Sequence, residues 1–185
     1  MTRATLALTA LVAALGGCSH ATKEPYKAES RIETEATVES VDVPTRLVVL
    51  RGADGQRVSV VAGEEVRNLD QLSAGDRVFV TYYQGIAAEV KEPGEGGTAA
   101  EEQVDRAKPG EKPGGSASVT LRTVVEIVSV DPSSNTVTFR RPDGTERSVA
   151  VERPDAQKYI RTLSPGQHVE ITYTEAMAIA VRPAR

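Results

Sequence analysis

The chain has 185 residues, 4% aromatics, no Trp, one Cys and a formal net charge of −4. A mildly acidic balance lacks the basic patch that gathers phosphates and so excludes a nucleic-acid binder of the ordinary kind. A single Cys excludes an intramolecular disulfide, and a core made of Val, Ile, Leu and Ala leans toward strands.

Arg3 precedes an apolar run from Ala4 to Leu15, followed by Gly16, Gly17 and Cys18. The run is too short to span a bilayer and reads as the core of an export signal. Leu15-Gly16-Gly17-Cys18 resembles the lipobox of bacterial lipoprotein signal peptides. That resemblance implies cleavage before Cys18 and lipidation of its thiol, with about 0.8 kcal/mol of membrane affinity per buried CH₂. Removing residues 1–17 deletes Arg3 and leaves 21 Lys and Arg against 26 Asp and Glu, a formal −5. Ser19, where Asp would resemble an inner-membrane retention signal, points to the outer membrane, facing the periplasm. Residues 18–34, polar and interrupted by Pro25, read as a tether, with His20 a solvated member of it.

From residue 35 the pattern becomes β. Ala36, Val38 and Ser40 alternate as in a half-buried strand, 42–45 is a turn, and Leu47–Arg51 is a second strand. Asp54-Gly55 between two β-type runs predicts a hairpin of type I′, and Val58, Val60 and Ala62 give the third strand. Val66, Leu69 and Leu72 suit a short helix or turn. Arg77–Tyr83 and Ile86–Lys91 are expected as the fourth and fifth strands, with Gln84-Gly85 as the bend.

Leu72–Val90 returns 91 residues later as Leu163–Val181 with eight of 19 positions identical. The stretch 40–60 returns 89 residues later with nine of 21 identical. The chain therefore reads as signal 1–17, tether 18–34, repeat one 35–91, linker 92–118 and repeat two 119–185. In the linker, Thr98 and Glu101 match a capping box, which predicts a short helix from Ala99 to Lys108.

Three strands, a short helix and two strands is the order of an OB-fold, with an SH3-like barrel the alternative. The predicted class is mainly β: two tandem small OB-like or SH3-like barrels joined by a Pro/Gly-rich linker. The chain from 35 to 185 is also similar to a family of uncharacterised exported proteobacterial lipoproteins built from such repeats. That similarity rests on Ser129-Val130-Asp131, Asp143-Gly144, the run from Gly110 to Gly115, Leu163–Gly166 and Tyr173–Ala176. It implies a fold and a compartment, and no activity.

No Ser/His/Asp arrangement, Cys/His metal spacing or Gly-rich phosphate loop is present. Asp42, Asp54, Asp131 and Asp143 sit where turns need them. His168 is expected as a surface strand residue, and Tyr82 and Tyr173 as core tyrosines with wet hydroxyls. The copies differ at Leu47, Val49, Phe79 and Tyr83, outward-facing positions where repeat two has Thr136, Thr138, Glu170 and Thr174. These four form the expected interaction face, covered by repeat two, by the linker helix or by an envelope protein. The expectation is a non-enzymatic, lipid-anchored envelope protein acting as a binding or interaction module, without catalytic residues, metal or cofactor. The alternative is a structural or stress-related envelope lipoprotein with no dedicated ligand.

Overall fold

The structure, a computed structural model, describes residues 23–184, so Cys18 and His20 lie outside the described residues. Nine strands form one antiparallel sheet. In chain order they are β1 (Tyr26–Asp42), β2 (Leu47–Gly52), β3 (Arg57–Val61), β4 (Arg77–Lys91), β5 (Ala99–Arg106), β6 (Gly114–Asp131), β7 (Thr136–Arg140), β8 (Glu146–Ala150) and β9 (His168–Arg182). Helix α1 (Pro154–Ile160) precedes β9, and a single 3-10 turn at Leu69–Gln71 occupies the corresponding place before β4. The strand order is β3-β2-β1-β4-β9-β6-β7-β8, with β5 added to the free edge of β6. The path does not return on itself, so the sheet is open where closed barrels are expected.

The departure from closed barrels has a specific cause. Gln84-Gly85, expected as a bend, lies inside a continuous β4 that pairs with β9 along all 15 of its residues. Gly85 serves packing here: a Cβ at that position would sit 2.6 Å from the Tyr83 hydroxyl. The ladder places Gln84 opposite Glu175, its own counterpart 91 residues on, and Tyr82 opposite Met177 as Ile86 is opposite Tyr173. The pairing thus has an approximate twofold axis through Gln84 and Glu175.

Further features recur on either side of that axis. β1 and β6 each carry a bulge, between Val38 and Ser40 and between Ile127 and Ser129. Arg46 and Asn135, 89 residues apart, both have positive φ, at 56° and 52°. The Asp-Gly hairpins form as predicted but with a different turn. Within the two loops only Gly55 and Gly144 have positive φ, and the Gly55 N–H donates to the Gly52 carbonyl while the Gly52 N–H donates to the Gln56 carbonyl. Such a loop is a type I turn closed by a left-handed glycine, so Asp54 is spared the positive φ that type I′ requires.

Two cores lie on one face of the sheet. Val38, Val48, Leu69 and Val78 form the first, and Val125, Ile127, Val137, Ile160 and Val169 the second. Each is completed by the far half's long strand: Val181 packs on the first core, and Ala88 and Val90 pack on the second. The stretch Ile86–Lys91 therefore belongs to the core of the opposite half, and a barrel built from residues 35–91 alone lacks its fifth strand.

Two further sequence expectations are corrected. The tether is strand from Tyr26 onward, paired with β4 as far as Thr37, and Ala28 within it is buried. Its polar residues hide a period of two in which Tyr26, Ala28 and Ile32 share a face. The segment Ala99–Arg106 is β5, paired residue for residue with Arg122–Gly115 of β6. As a helix it would bury one large apolar side chain, Val104, whereas as a strand it satisfies the open backbone edge of β6.

A pair of lysines 89 residues apart ties each half to the other. Lys112, just before β6, donates to the Gln71 carbonyl at 2.7 Å and to Asp76 Oδ2 at 2.7 Å, in the first half. Lys23, just before β1, donates to the Thr162 carbonyl and to Gln167 Oε1 at 3.2 Å, in the second. Asp76 and Gln167 also accept the backbone N–H of Ser73 and Ser164, respectively. Asp76 is the only buried charged side chain among the described residues, at 3% exposure. Burial pushes its carboxyl up, but the hydrogen bonds from Lys112 and Ser73 outweigh it and hold its pKa below the ordinary value. A carboxylate depressed in the fold contributes stability above its unfolded pKa and loses it as pH falls through the folded one. Lys112→Met, which strands a buried carboxylate, is expected to cost about 2 kcal/mol at pH 7. In urea titrations that cost should shrink as pH falls below the ordinary carboxylate range and Asp76 takes up a proton.

Candidate functional site

The second core does not fill its space. Between α1 and the inner face of β6, β7 and β9 lies an apolar cleft of about 510 Å³, walled by Val125, Ile127, Val137, Phe139, Ile160, Val169 and Ile171. Its rim carries Val149 and Ile86, 46% and 42% exposed. Volume and apolar lining are those of a small-ligand site.

Local chemistry explains why α1 forms a lid over this cleft. Pro154 stands in the first turn of the helix, where its missing N–H costs nothing. Gln157 donates its side-chain amide to the Val151 and Glu152 carbonyls and so fixes the chain entering the helix. Ile160 then points down as the buried residue of α1. Tyr26, from the other half's first strand, packs its ring 5.6 Å from that of Tyr159 and donates its hydroxyl to Asp155. Asp155 is held down to about 2 by the paired Arg153 guanidinium.

The Tyr159 hydroxyl is buried in the cleft wall with no hydrogen-bond partner in the structure. Burial, with the Glu89 charge adding to it, pushes its pKa up to about 12. A hydroxyl left unpaired against an apolar cavity is a donor for a polar atom on an otherwise apolar ligand. The other half has a smaller opening of about 230 Å³, lined by Val66, Val104, Met177 and Ile179. There Gly115 stands where Tyr26 stands 89 residues earlier, because a Cβ would meet the Asp105 carbonyl of β5 at 2.5 Å.

The residues singled out from sequence lie elsewhere. Leu47 and Val49 are half-buried on β2; Phe79 and Tyr83 are half-buried on β4, with β1 between them. On that intervening strand Glu39 pairs with Arg51 and Arg57, both at 2.7 Å, so the four do not meet in one patch. Phe79 is covered by the guanidinium groups of Arg77, at 5.1 Å, and Arg182, at 4.7 Å, from its ring centre. Tyr83 lies over Gly85, and burial together with Glu29 raises its pKa. The Nδ1 of His168 is buried and has no partner in the structure.

Tyr82 and Tyr173 join a polar cluster on the twofold axis. Tyr82 donates to Glu175 at 2.9 Å, Tyr173 donates to Glu175 at 3.1 Å and Gln84 donates to Tyr173 at 3.0 Å. The turn aspartates act as expected of capping residues: Asp131 accepts from Ser133 and Ser134, which hold it down to about 2, and Asp143 accepts from Thr145. Among the described residues no group of three His, Cys, Asp or Glu could hold a metal ion, and no helix is long and apolar enough to cross a membrane.

Sequence reasoning missed Tyr26 and the cleft. The signal available was weak: Ile160 and Leu163 behind a Pro-initiated helix, and an aromatic among polar residues in the presumed tether. No family model, curated protein or solved structure matches the chain.

The raised pKa of Tyr159 gives a test of its surroundings. An acid whose pKa is higher in the fold contributes stability below its unfolded value, near 10, and loses it as pH rises toward 12. Tyr159→Phe removes a buried hydroxyl that has no partner and should leave stability at pH 7 unchanged or raise it by up to about 1 kcal/mol. It should also flatten the decline seen by thermal melting between pH 10 and 12.

Proposed function

We propose that this is a lipid-anchored, non-catalytic protein of the bacterial envelope that binds an apolar group in the cleft beneath α1. The observation that carries the binding reading is the cleft itself: about 510 Å³, apolar, open at Val149 and Ile86, with the unpaired Tyr159 hydroxyl in its wall. Anchoring is supported by the Leu15–Cys18 sequence. The proposed location is the outer membrane, facing the periplasm. Partners are the membrane through Cys18 and an envelope molecule or protein that offers an apolar group.

The same reading takes the two halves as copies of one small open-barrel unit that exchange their last strands. It keeps the similarity to exported proteobacterial lipoproteins built from such units. The shared bulges, hairpin turns and lysine contacts support descent from one unit, and the axis at Gln84–Glu175 has the form of an isologous dimer interface.

Two measurements test the proposal separately. Cells fed an alkyne palmitate analogue should label the mature protein, and Cys18→Ser should abolish the label; an unlabelled mature wild type removes the anchor from the proposal. A fluorescent C16 fatty acid should bind the full chain, with Ala156→Trp, which fills the cleft from α1, weakening binding about tenfold. No binding, or binding indifferent to Ala156→Trp, removes the cleft.

A further inference from the structure

Ahead of Ala36 the outer edge of β1 carries no strand among the described residues. Among the described residues β1 pairs with β2 only from Ala36 onward, while its other side is paired with β4 from Tyr26 to Thr37. The corresponding stretch of β6, 89 residues on, is covered along its outer edge by β5. Among the described residues this slot is thus closed by a strand in one half and vacant in the other, and a vacant strand edge is a template for strand addition.

The side chains on this edge specify what fits it. Lys27, Glu29, Arg31 and Glu33 point to one face of β1, and all four are exposed. Their signs alternate and are antisymmetric about Ser30. If two such edges lie antiparallel with Ser30 opposite Ser30, each Lys27 faces Glu33 of the second copy and each Glu29 faces Arg31. Every charge then meets its opposite, the arrangement that stabilises cross-strand pairs.

Neighbouring registers that keep the same faces together fail. Centring on Glu29 sets Glu29 against itself and Lys27 against Arg31, and centring on Arg31 sets Arg31 against itself and Glu29 against Glu33. On the opposite face the Ser30 register brings Ala28 over Ile32, which is 60% exposed in the single chain.

We infer that the outer edge of β1 pairs antiparallel with the same edge of a second copy of this chain, with Ser30 on the twofold axis, joining two nine-stranded sheets into one. The interface is isologous, so it closes at two copies. This inference stands apart from the cleft and from the anchor.

In the full chain carrying Cys18→Ser, Ser30→Cys is expected to form a disulfide-linked dimer under mild oxidation. Residues directly opposed in antiparallel strands have Cα atoms about 4.5–5.5 Å apart, within disulfide reach. Glu102→Cys, on β5, should remain uncrosslinked. By sedimentation, Arg31→Glu should raise the dimer dissociation constant about tenfold, and Glu29→Arg combined with Arg31→Glu should restore it. A chain that stays monomeric at about 100 μM, weaker than which a C2 contact of this kind has no standing, overturns the inference. So does a dimer indifferent to Arg31→Glu and its rescue, or a Ser30→Cys variant that captures a different polypeptide in place of a second copy.

Discussion

The ladder between β4 and β9 is the constraint on which the rest of the molecule depends. It joins 15 residues of one half to 15 of the other and carries the approximate axis at Gln84 and Glu175. A backbone hydrogen bond in water is worth about 1 kcal/mol net, so the ladder matters less for its bonds than for the side chains it delivers. It carries Ala88 and Val90 into the second core and Val181 into the first. Each half has only four or five buried apolar residues of its own, too few for a comfortable core in a unit that size. Each core is completed by side chains from a strand of the other half.

The lysine contacts follow the same logic at the other ends of the strands. Lys23 and Lys112 precede β1 and β6, and each reaches past its own half to a turn of the opposite one. Where the acceptor is Asp76 the contact neutralises a buried charge, and where it is Gln167 no charge needs neutralising. The two halves are thus alike in geometry and unlike in electrostatics. A similar divergence opens the cleft: Tyr26 packs on Tyr159 in one half, while Gly115 in the other makes room for β5.

Local features were legible in the sequence, and long-range ones were not. The hairpins at Asp54-Gly55 and Asp143-Gly144, the alternation of Val38 and Val48 and the turn aspartates are written in residues close together. Gln84-Gly85 looks like a bend because glycine next to a polar residue ordinarily is one, and distant strands on both sides, β1 and β9, hold it in the ladder. β1 before Ala36 and β5 have too few apolar residues to announce themselves, since their strand character comes from the edges they meet. The candidate cleft was invisible for the same reason, as its walls come from both halves. Phe79 read as an exposed apolar residue because Arg182, which covers it, lies 103 positions away.

The placement of the start of β1 and the end of β9 has a mechanical consequence. Tyr26 lies opposite Ala88 at one end of the central strands, and Arg182 lies opposite Arg77 at the other. A pull applied between Lys23 and the end of β9 therefore acts along the strands. It loads the rungs of β1 on β4 and of β4 on β9 together, in shear, and does not peel them one at a time. A molecule pulled from ahead of β1 and from beyond β9 would resist as a lap joint does, failing only when many rungs give way at once.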